Sequence, residues 1–210
     1  MVPPFYWARV TDNADPDGLN RVRVSKHGEE DIVAEWIPVL TPYGSCDAGL
    51  SFIPEIDDQV LVVCLDAVDV CKAVIGSIWF NGALPPETGE NAAADLNGDG
   101  ENSLRFIKSR AGHQFIFDDT EGTEKIQLIT SDKKSRLEFC LEEELTSLVT
   151  ENDLIIGSGS VASIQADEVE IISEKEFSIC TEEFQVDSKK DIDINASNNM
   201  TVDGSGVSLN

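Results

Sequence analysis

One segment has the ligand types and spacing of a calcium-binding loop. Asp95, Asn97 and Asp99 place oxygen ligands at loop positions 1, 3 and 5, and Gly100 supplies the glycine at position 6. The twelfth position, where a bidentate Glu is expected, is Phe106. We therefore interpret the segment as a polar, turn-rich loop, with a weak calcium site as the alternative. We predict neither a structural metal nor another cofactor.

Clustered carboxylates are the other residues with the groups for catalysis. Asp118 and Asp119 are adjacent, as are Glu142, Glu143 and Glu144. Glycoside hydrolysis needs two carboxyl groups facing each other across a cleft about 5–10 Å wide, which neighbours on one turn do not supply. His113 falls in a turn and has no Ser or Cys nucleophile in a local motif. We interpret the acids as a solvated edge and predict no catalytic residue and no enzyme activity.

The charge of the chain excludes one large class of partner. The 210 residues have a net charge of −25, and residues 1–103 contain five Lys/Arg against eighteen Asp/Glu. Nucleic-acid binding depends on cations that neutralise phosphates. We therefore expect no nucleic-acid partner.

Cysteine usage and the N-terminus bear on the compartment. The five cysteines are odd in number and lack metal-ligand spacing, and Cys64 and Cys140 lie in apolar runs typical of buried thiols. The N-terminus has no basic, apolar signal segment, and no run approaches 18 apolar residues. We expect synthesis in the bacterial cytoplasm without a signal peptide.

The N-terminal third has the pattern of a small β-barrel. Five apolar or alternating runs are separated by variable, turn-rich loops, which fits a five-stranded OB-fold barrel over residues 1–83. The runs are Tyr6–Val10, Arg21–Val24, Glu35–Leu40, Gln59–Leu65 and Val74–Phe80. Pro38 marks an edge or a bulge, because proline lacks the N–H that a central strand would donate.

A linker and a second β-region follow. Residues 84–103, which include Pro85-Pro86 and Ala92–Ala94, read as a linker. Residues 104–153 alternate in longer hairpin-like strands, which we interpret as a β neck. Gly157–Ser160 reads as a loop or a change of register between this neck and the last part of the chain.

The last part of the chain repeats. Apolar residues arrive in pairs split by one polar residue, and the starts of the pairs are spaced 8, 7, 8, 8 and 7 residues apart. A period of two puts both members of a pair on one face of a short strand, and the polar residues between pairs suit corners. The pairs are Val169/Ile171, Phe177/Ile179, Phe184/Val186, Ile192/Ile194, Met200/Val202 and Val207/Leu209.

Such short strands need neighbours to stack on. Wound as a single coil, three pairs would make one turn of roughly 22 residues and leave only about two turns, fewer than repeat arrays usually need. Three chains around one axis supply a pair from every chain to each layer. We therefore predict an intertwined homotrimeric, triple-stranded β-helix, or prism, over residues 154–210.

Several short motifs occur in a specific order along the chain. They are Ala8-Arg9-Val10, Asp12-Asn13, Asp15-Pro16, Arg21–Val24, Trp36–Val39, Thr41–Gly44, Phe52–Val62, Ile75–Ile78 and Arg110–Ile126. Their order resembles that in phage baseplate protein V and in VgrG-type spikes, over nearly the whole chain. The resemblance implies a homotrimeric central spike of a contractile injection machine. Such a spike docks on a hub, pierces a target membrane, and is delivered from an assembled particle into the target envelope.

Departures from these relatives suggest the remaining partners. The hub domains of full VgrG chains are absent, so we expect a separate hub protein at the OB end. Some phage spikes close their tip with histidines on iron, but His27 and His113 both lie far from the C-terminus. We therefore expect a PAAR-like tip protein to contact Val207, Ser208, Leu209 and Asn210.

Two other functions remain as alternatives. One is a β-solenoid enzyme acting on cell-envelope polysaccharide, and the other is an OB-fold binding module. An acidic polysaccharide would need a basic groove, but residues 137–210 contain three Lys/Arg against seventeen acids.

Overall fold

The computed structural model describes residues 5–28, 34–65, 71–87, 100 and 102–206, and within these ranges it contains strands and no helix. The chain divides into two units, residues 1–155 and 156–210. The predicted linker lies largely outside the described residues. The strands are β1 (Phe5–Asp12), β2 (Arg21–Lys26), β3 (Ile37–Pro38), β4 (Gly44–Ser45), β5 (Ala48–Gly49), β6 (Gln59–Cys64), β7 (Lys72–Ile78), β8 (Leu104–Lys108), β9 (Gln114–Asp118), β10 (Lys125–Ile129), β11 (Ser135–Cys140) and β12 (Leu145–Thr150).

The first sheet is the predicted barrel, with the strand order β3-β2-β1-β6-β7. Irregular register at Thr11 in β1 and at Ile75 in β7 bends the sheet, as bulges do. A parallel bridge between Val39 and Val74 joins the two edges, and the Leu40 N–H donates to the Val74 carbonyl at 2.8 Å. This closure fits the OB-type barrel expected from the sequence.

The barrel core is formed by alternate residues along the strands. The eight buried core residues lie on five strands and are at most 2% exposed: Ala8, Val10, Val22, Val24, Ile37, Val60, Val62 and Val74. The run at residues 59–65, predicted as a buried strand, forms β6. The run at residues 35–40 gives only the two-residue β3, because Pro38 has no N–H to extend the ladder.

The second sheet is an antiparallel meander. Its order, β12-β11-β10-β9-β8, follows the chain, and its connections are short turns. Strands β8 to β11 confirm the alternating strands predicted for this region, whereas β12 was not predicted. The turn before β9 also contacts the barrel, since Arg110 forms an ion pair with Glu55 at 3.1 Å.

Residues 156–206 form no hydrogen-bonded strand within the chain, and every one of them is exposed. Their backbone bends at intervals of seven or eight residues, between the apolar pairs identified in the sequence. The bends lie at Gly159–Ser160, Asp167, Glu174–Lys175, Glu182, Lys189–Lys190, Ser197–Asn198 and Gly204–Ser205. We call residues 156–206 the C-terminal repeat.

Every second corner contains the same type of hydrogen bond. The hydroxyls of Ser158, Ser173 and Ser188 each donate to the carbonyl three residues ahead, at 3.0, 2.6 and 3.1 Å. These serines are 15 residues apart, so two bends make one larger repeat. Gly157–Ser160, which the sequence suggested as an interruption, is therefore a corner of the same kind. The triple-stranded β-helix itself remains a prediction.

Candidate assembly surfaces

Asp118, Asp119 and the histidine considered for catalysis have structural contacts, whereas Glu142, Glu143 and Glu144 are exposed. Asp118 is 8% exposed and accepts hydrogen bonds from the Thr120 N–H and hydroxyl, while Asp119 pairs with Arg105. Nδ1 of His113 accepts the Ser131 N–H at 3.2 Å and thereby ties two turns together. Within the described residues, no group of three or more His, Cys, Asp or Glu is arranged to hold a metal. The calcium-like segment lies mostly outside the described ranges.

The best-defined charge cluster stabilises a loop. Asp15 accepts the backbone N–H groups of Asp17, Leu19 and Arg21, and its carboxylate pairs with the Arg21 guanidinium at 2.6 Å. The Arg21 hydrogen bond, followed by those from the backbone, holds the pKa of Asp15 well below its usual range. Hydrogen bonds to Asp15 and then to Asp17 raise the pKa of Arg21. The cluster fixes the β1–β2 connection, since its groups are directed at one another.

One face of the second sheet is mostly apolar. Register places Ile107, Phe115, Leu128, Leu137 and Leu148 side by side in one row across all five strands. Phe117, Ile126 and Phe139 share the next row on that face. We call these eight residues the apolar face. Several are well exposed, such as Leu128 at 48% and Leu148 at 55%.

The opposite face of this sheet mixes polar and apolar residues and is packed at its centre. Ile116 is 1% exposed there, and Gln114 and Gln127 are each 7% exposed. Gln127 Nε2 donates to Glu138, its cross-strand neighbour. The centre of the opposite face is therefore packed within the chain, whereas the apolar face lacks a full cover.

The barrel has an apolar patch on its outer surface. Phe5 lies beside Val63 and Trp7 beside Leu61, and Ile75 projects from the bulge in β7. Phe5, Trp7 and Ile75 are 53%, 44% and 40% exposed. We call these five residues the outer patch. Exposed aromatic side chains grouped in this way are typical of protein–protein contacts.

A separate groove lies beside the β3–β6 connection. Its volume is about 170 Å³, and Leu19, Leu40, Leu50 and Phe52 contribute apolar side chains to its lining. The Thr41 hydroxyl donates to the Leu50 carbonyl at 2.5 Å and closes the loop around it. The groove has the size of one large side chain.

The C-terminal repeat exposes more apolar surface than either sheet. Ile156, Ile164 and Ile194 are 80%, 81% and 72% exposed. The pairs Leu154/Ile156 and Ala162/Ile164 precede Val169 with the same spacing of eight and seven residues, so the apolar pattern begins earlier than the six pairs recognised in the sequence. The four residues predicted to contact a tip protein, 207–210, lie outside the described ranges.

Sequence reasoning missed the apolar face and the outer patch as surfaces. The signal was present, because Phe115/Phe117, Leu137/Phe139 and Phe5/Trp7 each alternate along one strand. Alternation alone does not say which side of a strand is covered, and cross-strand register is needed to group residues from five strands on one face.

The comparisons with known proteins concern the barrel. Residues 6–79, from β1 to the end of β7, match the type VI secretion system/phage-baseplate injector OB domain. A search of curated proteins found no match to the chain. No helix in the described part of the chain is long and apolar enough to cross a membrane.

Proposed function

We propose, on the premise that residues 6–79 form an OB domain of the type VI secretion system/phage-baseplate injector family, that this chain is the membrane-piercing central spike of a contractile injection machine. The family supports a structural role in such a machine. The finer proposal, a spike that is driven through a target envelope, rests on the C-terminal repeat. The match over residues 6–79 is the observation that carries the proposal.

The spike is proposed to be a homotrimer. The apolar pairs of the C-terminal repeat are exposed in the single chain, and fully burying a large aliphatic side chain contributes roughly 1.5–3 kcal/mol. Three chains wound together would bury these pairs and join their backbones by interchain ladders. An axial load would then be shared among many hydrogen bonds in parallel, which suits a piercing element.

The partners are proposed to lie at the two ends of the chain. A separate hub protein would bind the OB domain, where the outer patch offers exposed aromatic side chains. A PAAR-like tip protein would bind Val207–Asn210 at the other end. The trimer is proposed to assemble into a particle in the producing bacterium and to contact the target membrane only transiently.

The enzyme alternative lacks a supporting site in the described residues. The acids that suggested it hold turns or lie exposed, and residues 137–210 are too acidic to attract an acidic polysaccharide. Acidity also disfavours an OB module for nucleic acid.

The test is the composition of the particle. Contractile particles purified from producing cells should contain this chain at three copies each, counted by quantitative mass spectrometry. A Trp7→Ser chain should be incorporated less, because its aromatic contact with the hub is lost, while a substitution at exposed Lys134 should have no effect. Complete absence of the wild-type chain from the particles would refute the proposed function.

A further inference from the structure

We infer that copies of this chain pack against one another through the apolar face of the second sheet, so that self-association has a second site besides the C-terminal repeat. The inference rests on the proposed homotrimer and assigns it an interface in the compact part of the chain. The interface consists of Ile107, Phe115, Phe117, Ile126, Leu128, Leu137, Phe139 and Leu148.

The first step is that this face needs a cover. A large contiguous apolar patch that stays exposed marks a protein–protein contact or an aggregation-prone surface. Here the centre of the opposite face is packed within the chain, with Ile116 at 1% exposure, whereas Ile107, Leu128 and Leu148 on the apolar face are 50%, 48% and 55% exposed. Among the described residues of this unit, nothing covers that face fully.

The second step is the choice of partner. The chain carries a charge of −25, so two copies repel each other unless they meet where carboxylates are missing. The apolar face contains no carboxylate, whereas the opposite face carries Asp118 and Glu138. The strand rows of the face add only Arg105, Ser135, Thr146 and Thr150 to the eight apolar residues, and the carboxylate of Asp119 beside them is paired with Arg105. A second copy can therefore approach through this face without setting acid against acid.

The third step is continuity along the chain. The last strand of the sheet, β12, ends at Thr150. The apolar pairs that continue into the C-terminal repeat begin at Leu154, four residues later. On the proposed function the repeat is wound with two other copies. The same copies are therefore held close to the sheet by the covalent chain, which raises their effective concentration at its uncovered face.

The experiment uses two leucines of the same sheet. Leu128 lies on the apolar face and Leu145 on the opposite face, and both are 48% exposed. In the full-length chain, Leu128→Asp should raise the concentration for half-dissociation of the oligomer by about 100-fold or more, because it places a charge in the interface. Leu145→Asp should change it less than about threefold, since that side chain stays in water. Light scattering over a dilution series measures both values.

Further variants keep the result decisive. If circular dichroism shows that Leu128→Asp is unfolded, Leu128→Ser and Leu145→Ser replace the pair, with the same order expected. Ile194→Asp, in the C-terminal repeat, should leave the copies associated, because the apolar face is intact. Equal effects at Leu128 and Leu145, or no effect at Leu128, would overturn the inference while leaving a trimeric spike in place. A wild-type chain that is monomeric at every concentration would instead refute the proposed homotrimer.

Discussion

At the scale of single residues, Asp15 shows how one side chain can fix a loop. It accepts three backbone N–H groups of its own connection and pairs with Arg21. Gly18 allows the turn with a φ of 66°, a region that residues with a Cβ seldom adopt. The β1–β2 connection is therefore organised around a carboxylate rather than around apolar contacts.

Replacing this carboxylate should destabilise the domain. Asp15→Asn keeps the size of the side chain but loses its charge, so Tm should fall by several degrees at pH 7. Asp17→Asn is the matched control and should change Tm little, because the Asp17 side chain is 65% exposed and its carboxylate pairs with Arg21 near solvent. Equal losses in the two variants would show that Asp15 has no special role.

The same pair predicts a pH dependence. Because folding lowers the pKa of Asp15, its contribution is fully present above the unfolded pKa of about 3.9 and is lost as pH falls toward the folded value. The difference in urea midpoint between wild type and Asp15→Asn should therefore narrow between pH 7 and pH 3. A difference that stays constant over this range would contradict the assignment.

At the scale of elements, the C-terminal repeat is built from short segments and corners. Ser158, Ser173 and Ser188 lie at every second corner of the repeat. The apolar residues between corners remain exposed in the single chain. A segment of this kind gains little from its own packing. In the proposed prism, contacts with two other chains would supply the missing burial.

Neighbouring residues of the repeat should respond differently to substitution. Ile194→Asp would place a charge in each chain's share of the proposed core, so the Tm of the oligomer should fall by roughly 5 °C or more. Asp193→Asn, one residue away and facing water in the proposed prism, should change the Tm of the oligomer very little. If both variants lowered Tm equally, the assignment of faces in the repeat would be wrong.

At the scale of the whole molecule, the segments with proposed functions follow one another along the chain. The residues that match the injector OB domain come first, the meander sheet follows, and the repeat leads to the residues proposed for tip binding. A prism that ends near Leu209 would expose three copies of an apolar pair and unpaired backbone groups. Such an end associates readily, as strand edges do, unless a partner covers it.

Removing this end should separate assembly from tip binding. A chain lacking residues 203–210 should remain trimeric, with three times the mass of the shortened chain, because the barrel, the apolar face and most of the repeat remain. It should lose binding to a PAAR-like protein by at least about 100-fold in calorimetry, because the docking residues are gone. Unchanged affinity would place the docking surface elsewhere.

The sequence by itself determined features that are local or ordered along the chain. Alternation identified β6 and the first four strands of the meander, the apolar pairs identified the repeat, and the order of motifs identified the injector OB domain that the comparison at residues 6–79 supports. These features can be recognised in the sequence because strand faces repeat every two residues and turn residues mark the strand ends.

The tertiary structure decided what depends on residues far apart. The register of five strands showed that Ile107 and Leu148 lie in one apolar row, 41 residues apart in the chain. The closure through Val39 and Val74, the contacts of Asp15 and the grouping of Phe5 and Trp7 with Leu61 also required the fold. Pairing and burial between distant segments are set by the packing of the whole domain, so no local pattern contains them.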